Sequence, residues 1–215
     1  VLLTDCLLCK PLYLLKEEGD HLLVHSRVGY LGYVAAADVH RCSAAAFDRY
    51  PTDSCVRIVT ENQVRDGLTL PAGAILKKIP GDPEGVRCAL PSGEAIDIPP
   101  QVCEAVQPDK AKIESAISCG SELLGTPYHW GGKTSDGIDC SGLVQISFAA
   151  IGLHLPRDSN QQFLVGQLTG TRWHRTRMER GDTMYFVGSH GKIRHTAIYL
   201  GDDQFLHAEL PRVTI

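Results

Sequence analysis

Thr126-Pro-Tyr-His-Trp-Gly-Gly-Lys-Thr-Ser-Asp-Gly-Ile-Asp-Cys-Ser-Gly142 is the stretch from which the fold is read. Gly131, Gly132 and Gly137 interrupt regular structure, whereas Leu143, Val144, Ile146, Phe148 and Ile151 follow Cys140 with the density of a buried helix. Cys140 is therefore expected at a helix N-terminus, with Asp139 as the N-cap. Unpaired N–H groups and the positive end of the helix dipole stabilise a thiolate there, so the thiol pKa is expected to fall.

Downstream, Asp158 or Ser159 in Leu155-Pro-Arg-Asp-Ser-Asn-Gln-Gln162 can cap a short helix. Arg180-Gly-Asp182 leads into a strand at 184–187, and two further β-prone runs, 195–200 and 204–208, form a hairpin. A three-residue loop at 201–203 sets Leu200 against Gln204 and Ala197 against His207, which puts His195 and His207 on one face of the sheet. A two-residue loop at 202 and 203 puts them on opposite faces. On a shared face, His195 can take the Cys140 proton and His207 can orient the His195 ring. Taken singly, such residues have plainer readings: a cysteine at a helix start is usually a small buried residue, and a strand histidine usually a hydrogen-bonded one.

Upstream, Ile113, Ala116, Ile117, Gly120, Leu123 and Leu124 recur at helical spacing, with Asp109 as the expected cap and Gly125 as the stop. Pro99-Pro100 and Pro108 mark an expected linker before that helix. The first 107 residues are β-prone: runs at 12–15, 21–25 and 30–34, then a break at Pro51, then runs at 56–59, 74–79, 85–90 and 95–98. These divide into modules at 1–40 and 41–107, ahead of a third domain at 108–215.

Composition excludes several functions. Lys plus Arg number 21 and Asp plus Glu 25 in 215 residues, a formal charge of -4, with no basic run suited to a nucleic-acid backbone or an anionic membrane. No apolar run is long enough to span a bilayer. The eight cysteines match no small disulfide framework. A nucleophilic thiol among them favours a reducing, cytoplasmic setting, the alternative being export after removal of a signal peptide. Cys6-x2-Cys9-x11-His21-x3-His25 is close to zinc-finger spacing. The histidines read as part of a strand, however, and the basic helix of a nucleic-acid-reading finger is absent, so no metal is expected. Gly131-Gly-Lys-Thr134 is no phosphate loop, because Pro127 stands where its first glycine belongs.

The assembled motifs resemble the NlpC/P60 family of cell-wall peptidases. Gly125-Thr-Pro-Tyr-x-Trp-Gly-Gly, Asp139-Cys-Ser-Gly, Leu155-Pro-Arg-Asp-Ser, Arg180-Gly-Asp, His195-x-Ala-Ile-Tyr-Leu-Gly and Phe205-Leu-His-Ala are similar to that family's motifs, in its order, across about residues 110 to 212. The strand, Gly-Asp turn, strand and Gly-Tyr-Leu-Gly-Tyr-Val at the N-terminus resemble a bacterial SH3 (SH3b) domain. The fold implied is α+β, a papain-like catalytic domain preceded by two small SH3b-like barrels. The whole arrangement resembles the γ-D-glutamyl-L-diamino acid endopeptidases, of the dipeptidyl-peptidase VI type.

By that resemblance Cys140 is the nucleophile, His195 the base, His207 the orienting third residue, and Tyr128 an oxyanion donor beside the Cys140 N–H. Asp139, Ser141, Arg157, Asp158 and Ser159 match positions near substrate, although Asp139 and Asp158 are equally readable as helix caps. Tyr30, with Tyr33 second, is the candidate for reading a free N-terminal amine, and Asp5 the candidate acid beside it. The implied substrate is the peptidoglycan stem peptide L-Ala-γ-D-Glu-L-diamino acid, cut after D-Glu by a monomer without metal or organic cofactor. The alternatives are a non-catalytic wall-binding protein and a thiol acyltransferase on the same fold.

Overall fold

The computed structural model describes residues 4, 10–48, 55–64, 67–80, 85–105 and 112–215. They fall into two compact units: Cys6–Gln107, and Pro108–Ile215 together with Thr4. Pro51, Pro108, Asp109, Cys6, Cys9 and Asp5, on which several expectations rest, lie outside the described residues.

In the first unit β1 (Leu12–Glu18), β2 (His21–Ser26) and β3 (Leu31–Ala35) form an antiparallel meander. The period-two pattern buries Leu22 and Val24 and leaves His21, Leu23 and His25 on the other face of β2. A helical turn, α1 (Ala44–Asp48), follows.

After β4 (Cys55–Ile58) and a separate two-stranded hairpin of β5 (Asn62–Gln63) and β6 (Thr69–Leu70) come β7 (Ile75–Lys78), β8 (Val86–Ala89), β9 (Ala95–Ile98) and β10 (Cys103–Ala105), and β4 with β7 to β10 makes a second sheet. Its five-stranded order is β10-β4-β7-β8-β9, around Ile58, Leu70, Leu76, Cys88, Ile96 and Ile98. Pro99-Pro100 is not linker. It opens a single 3-10 turn, Pro100–Val102, that delivers β10 back to β4. Proline suits that place because its fixed φ fits the first helical position and its missing N–H would be unpaired there. The expected division at residue 40 falls between the two sheets, which share one compact unit.

The second unit begins with α2 (Ile113–Ser121), which buries Ala116, Ile117, Cys119 and Gly120. Gly125 takes a positive φ of 86° a short turn later, as a helix stop requires. The quoted stretch then folds as a tight hairpin, β11 (Lys133–Thr134) with β12 (Gly137–Ile138), and runs into α3 (Cys140–Ala149) and α4 (Ser159–Val165). Every residue of α3 is buried. A helix apolar all round sits inside a domain, and α3 packs between α2 and the sheet.

That sheet is antiparallel, in the order β13 (Thr183–Val187), β14 (Ile193–Gly201), β15 (Gln204–Glu209) and β16 (Arg212–Thr214). Arg180-Gly-Asp182 fastens its entry. The Arg180 guanidinium grips Glu114 of α2, a Cβ on Gly181 would strike Ile113, and Asp182 accepts from the Glu179 N–H and the Thr169 hydroxyl.

At Gly120 α2 lies close against both α3 and the sheet. A Cβ there would lie 2.5 Å from Ser147 Oγ and 2.9 Å from Leu206 Cδ2. The Ser147 hydroxyl cannot easily turn aside, because it donates to the Leu143 carbonyl at 2.8 Å. Gly120→Ala is expected to destabilise the unit by about 1–3 kcal/mol through overpacking, although alanine favours a helix more than glycine does. A denaturant titration in which Gly120→Ala matches or exceeds the wild type would contradict this packing.

Candidate active site

Three elements carry the site, and one buried ion pair ties two of them together. Asp139 occupies the N-cap of α3, and its Oδ1 accepts from the Gly142 N–H at 2.7 Å while Oδ2 accepts from the Gly131 N–H at 2.8 Å. The Arg157 guanidinium approaches both oxygens, at 2.9 and 2.7 Å, and donates to Ser141 Oγ at 2.8 Å and to Thr4 Oγ1 at 2.6 Å. Arg157 is 1% exposed and Asp139 5%, so the pair is desolvated and saturated with hydrogen bonds. Gln162 of α4 adds Nε2 bonds to the Ser141 and Pro156 carbonyls. The glycines make this closeness possible: a Cβ on Gly142 would run into the Gly132 carbonyl, and one on Gly132 into the Gly137 carbonyl.

Cys140 is the first residue of α3 and is 8% exposed. Its own N–H lies in the first turn, where no intrahelical acceptor exists. The expected fall of its pKa does not occur. Burial pushes the Cys140 thiol up, against the pull of the Thr196 and Ser141 backbone N–H groups and of Arg157. A helix terminus lowers a thiol pKa only where its field exceeds the loss of hydration, and at this depth the loss is larger.

The hairpin supplies the histidines by an unexpected route. The turn is two residues, Asp202 and Asp203, at φ 50° and 58°, with Gly201 paired to Gln204. Left alone, that turn would put His195 and His207 on opposite faces. A bulge at Leu200 restores the register: Tyr199 pairs with Phe205 and Ile198 with Leu206, so Ala197 falls opposite His207 as the longer loop would have placed it. His195 Nε2 lies 2.9 Å from His207 Nδ1, the rings at 80° to each other.

With Nε2 committed to His207, Nδ1 is the ring nitrogen of His195 left for the thiol. Thr196, the next residue, brings its backbone N–H to the Cys140 sulfur. Burial lowers the His195 pKa, the His207 charge lowers it further, and Glu209 partly opposes both; burial likewise lowers that of His207. Burial thus works against both the thiolate and the imidazolium. The Tyr128 hydroxyl is half-buried and its pKa is pushed up to about 12 by burial, then by Cys140 and Asp139, which keeps it a proton donor.

The remaining candidates sit as follows. Ser141 is buried beneath Arg157, and Asp158 holds the N-cap position of α4 without a side-chain cap bond, next to Ser159. Tyr30 belongs to the other compact unit, where its N–H donates to Ser26 Oγ at 3.0 Å; Tyr33 donates its hydroxyl to Glu18 at 3.0 Å. His21 and His25 both lie on β2. Phe186 and Phe205 were missed by sequence reasoning, yet they wall the histidines, with ring centroids 5.4 Å from His195 and 5.0 Å from His207. Phe205 was findable from its i, i+2 spacing to His207; Phe186 emerges only from its pairing with His195 across β13 and β14.

Residues 125–215 match the model described as the NlpC/P60 family. Among relatives, dipeptidyl-peptidase 6 of Lysinibacillus sphaericus is 27% identical over 235 residues, covering 97% of this chain and 80% of that protein. The γ-D-glutamyl-L-lysine dipeptidyl-peptidase of Bacillus subtilis is 35% identical over 105 residues, 48% of this chain and 34% of that protein. The crystal structure of an NlpC/P60 family protein from Bacillus cereus superposes with a TM-score of 0.79 at 22% identity, over 98% of this chain and 75% of that one, a likeness of fold.

Two outcomes are expected of this site. Arg157→Leu leaves the Asp139 carboxylate buried without its counter-charge, so stability should fall by about 3–5 kcal/mol in a denaturant titration. A loss below about 1 kcal/mol would show that the pair does not hold the site together. In a pH titration of thiolate absorbance, the difference between wild type and Cys140→Ala should appear only above 9.0, the thiol's ordinary value, and the acid limb of kcat/KM should fall below 6.5, the ordinary value for histidine. The signs follow from burial, which opposes both charged forms. A thiolate signal at neutral pH would instead mean a resting ion pair.

Proposed function

We propose that the chain is a cysteine peptidase that cuts the γ-D-Glu-L-diamino acid bond of peptidoglycan stem peptides bearing a free N-terminal L-Ala. The observation that carries the chemistry is a thiol at the first residue of a capped, buried helix, together with the 2.9 Å His195–His207 pair on the adjoining sheet. The choice of bond is supported by the 97% span of this chain on a protein named dipeptidyl-peptidase 6, a match that includes the N-terminal unit as well as the peptidase domain.

The steps follow from the neutral resting state. As the Cys140 sulfur closes on the amide carbonyl, His195 Nδ1 takes its proton, and the new imidazolium keeps its Nε2–H on His207 Nδ1. The oxyanion is met by the Cys140 N–H and the Tyr128 hydroxyl, donors whose positions are set before substrate arrives. His195 then protonates the leaving amine, and water hydrolyses the acyl-enzyme with the same imidazole as base.

In this proposal Ser141, Arg157, Asp158 and Ser159 frame the substrate side of the cleft, Arg157 and Asp139 by holding the α3 terminus. The order β10-β4-β7-β8-β9, with a 3-10 turn before the returning strand, supports the SH3b-like reading of the 41–107 module. Tyr30 remains the candidate reader of the amine, and the cytoplasm the proposed setting.

The decisive experiment is mass spectrometry of L-Ala-γ-D-Glu-L-Lys and its N-acetylated form after incubation with wild type and Cys140→Ala. Release of L-Ala-D-Glu from the free-amine peptide alone, by wild type alone, is the expected result. Cleavage of both forms would remove the amine requirement, and cleavage of neither, nor of the meso-diaminopimelate analogue, would remove the peptidase.

A further inference from the structure

We propose that Glu209 is a positioning residue of the catalytic set, its carboxylate steadying the positive charge that gathers on the His195–His207 pair as the Cys140 proton is taken. The inference rests on the cysteine-peptidase reading above. Glu209 follows His207 by two residues in β15, so both side chains leave the same face of the strand. Its Oε2 lies 3.8 Å from His207 Nδ1, the atom that is also 2.9 Å from His195 Nε2.

The proton count fixes what the carboxylate meets. For His195 to act through Nδ1 its resting proton must sit on Nε2, and His207 Nδ1 accepts it, which leaves the His207 proton on Nε2. When the S–H bond breaks and the Nδ1–H bond forms, the unit charge on His195 is shared along the Nε2–H to Nδ1 bond. It is thereby drawn to the nitrogen beside Glu209. No other reactant is needed.

The charged and titratable groups around the pair are few. The charges that act on the two histidines are each other's and that of Glu209, Phe186 and Phe205 bring only rings, and Tyr128, whose hydroxyl also feels Glu209, Cys140, Asp139 and Arg157, is the further titratable group in reach of that carboxylate. Arg212 stands opposite Glu209 on β16, yet the titratable nitrogen that the Glu209 carboxylate faces at 3.8 Å is His207 Nδ1, so the contact becomes an ion pair only as the histidines gain charge. Its charge opposes the lowering of both histidine pKa values. Glu209 is 67% exposed in its side chain, so solvent screens the effect to a fraction of a pH unit.

Glu209→Gln keeps the shape and removes the charge. In the γ-D-glutamyl peptide assay, the acid limb of kcat/KM should move down by about 0.2–0.7 pH unit and the plateau fall about 2- to 5-fold, both differences shrinking in high salt. The control is Asp202→Asn, the same charge change at the turn end of the hairpin, where asparagine also tolerates a positive φ; it should move neither. Nuclear magnetic resonance titration of His195 and His207 in the Cys140→Ala background gives a readout without turnover, and both pKa values should drop in Glu209→Gln. An unmoved limb, or an equal shift in Asp202→Asn, overturns the role of Glu209. If the wild type cleaves no peptide, the peptidase reading fails instead, and unmoved histidine titrations would then dispose of the Glu209 contact independently.

Discussion

The bidentate contact between Arg157 and Asp139 is the constraint on which the C-terminal unit depends. A buried carboxylate is costly unless it is paired and hydrogen-bonded, and here its two oxygens serve a helix N-cap, a loop N–H and a guanidinium at once. Each partner comes from a different element: Gly131 from the loop before β11, Gly142 from α3, Arg157 from the segment before α4. The start of α3 thereby has one position available to it, and so does the sulfur of Cys140. Orientation of a nucleophile is worth a large part of a barrier, and a buried ion pair supplies it without touching the reacting atoms.

Burial that makes this clamp rigid also sets the acid–base chemistry. Taking Cys140, His195 and His207 partly out of water disfavours thiolate and imidazolium alike. In the proposed reaction charge appears as the thiol proton moves, and the groups proposed to meet it are a backbone N–H and Tyr128 on the oxygen side and a second imidazole with Glu209 on the nitrogen side. The neutral resting thiol and the preset donors are two consequences of one low-dielectric site.

The N-terminal unit follows a different physical logic. Its sheets rest on short strands of alternating pattern and a core of medium-sized side chains, and the five-stranded sheet is completed by a three-residue strand that a proline turn delivers. Strands as short as Cys103–Ala105 carry too few residues for periodicity to register, so this one was legible only as a Pro-rich break. The longer runs were legible because alternation over four or more residues is the mark of a half-buried strand.

The sequence by itself determined the main elements of the C-terminal unit and which residues stand at its candidate site. A glycine-rich approach followed by dense apolar residues requires a buried helix beginning at Cys140, and Asp139 before it has the side chain that caps such a start. Two β-prone runs around Gly-Asp-Asp require a hairpin, and their histidines stand at spacings that one register brings together. What the sequence left open was that register. The turn residues Asp202 and Asp203 favour the tight loop that separates the histidines, and the bulge at Leu200 that reunites them has no local signature. It is set by the packing of Ile198 and Leu206 into the core, both wholly buried, which fixes the paired strands one residue away from where the turn alone would leave them. Tertiary structure likewise decided the sign of the Cys140 pKa shift. A helix terminus can be read from the chain, but the depth at which it is buried depends on everything packed over it.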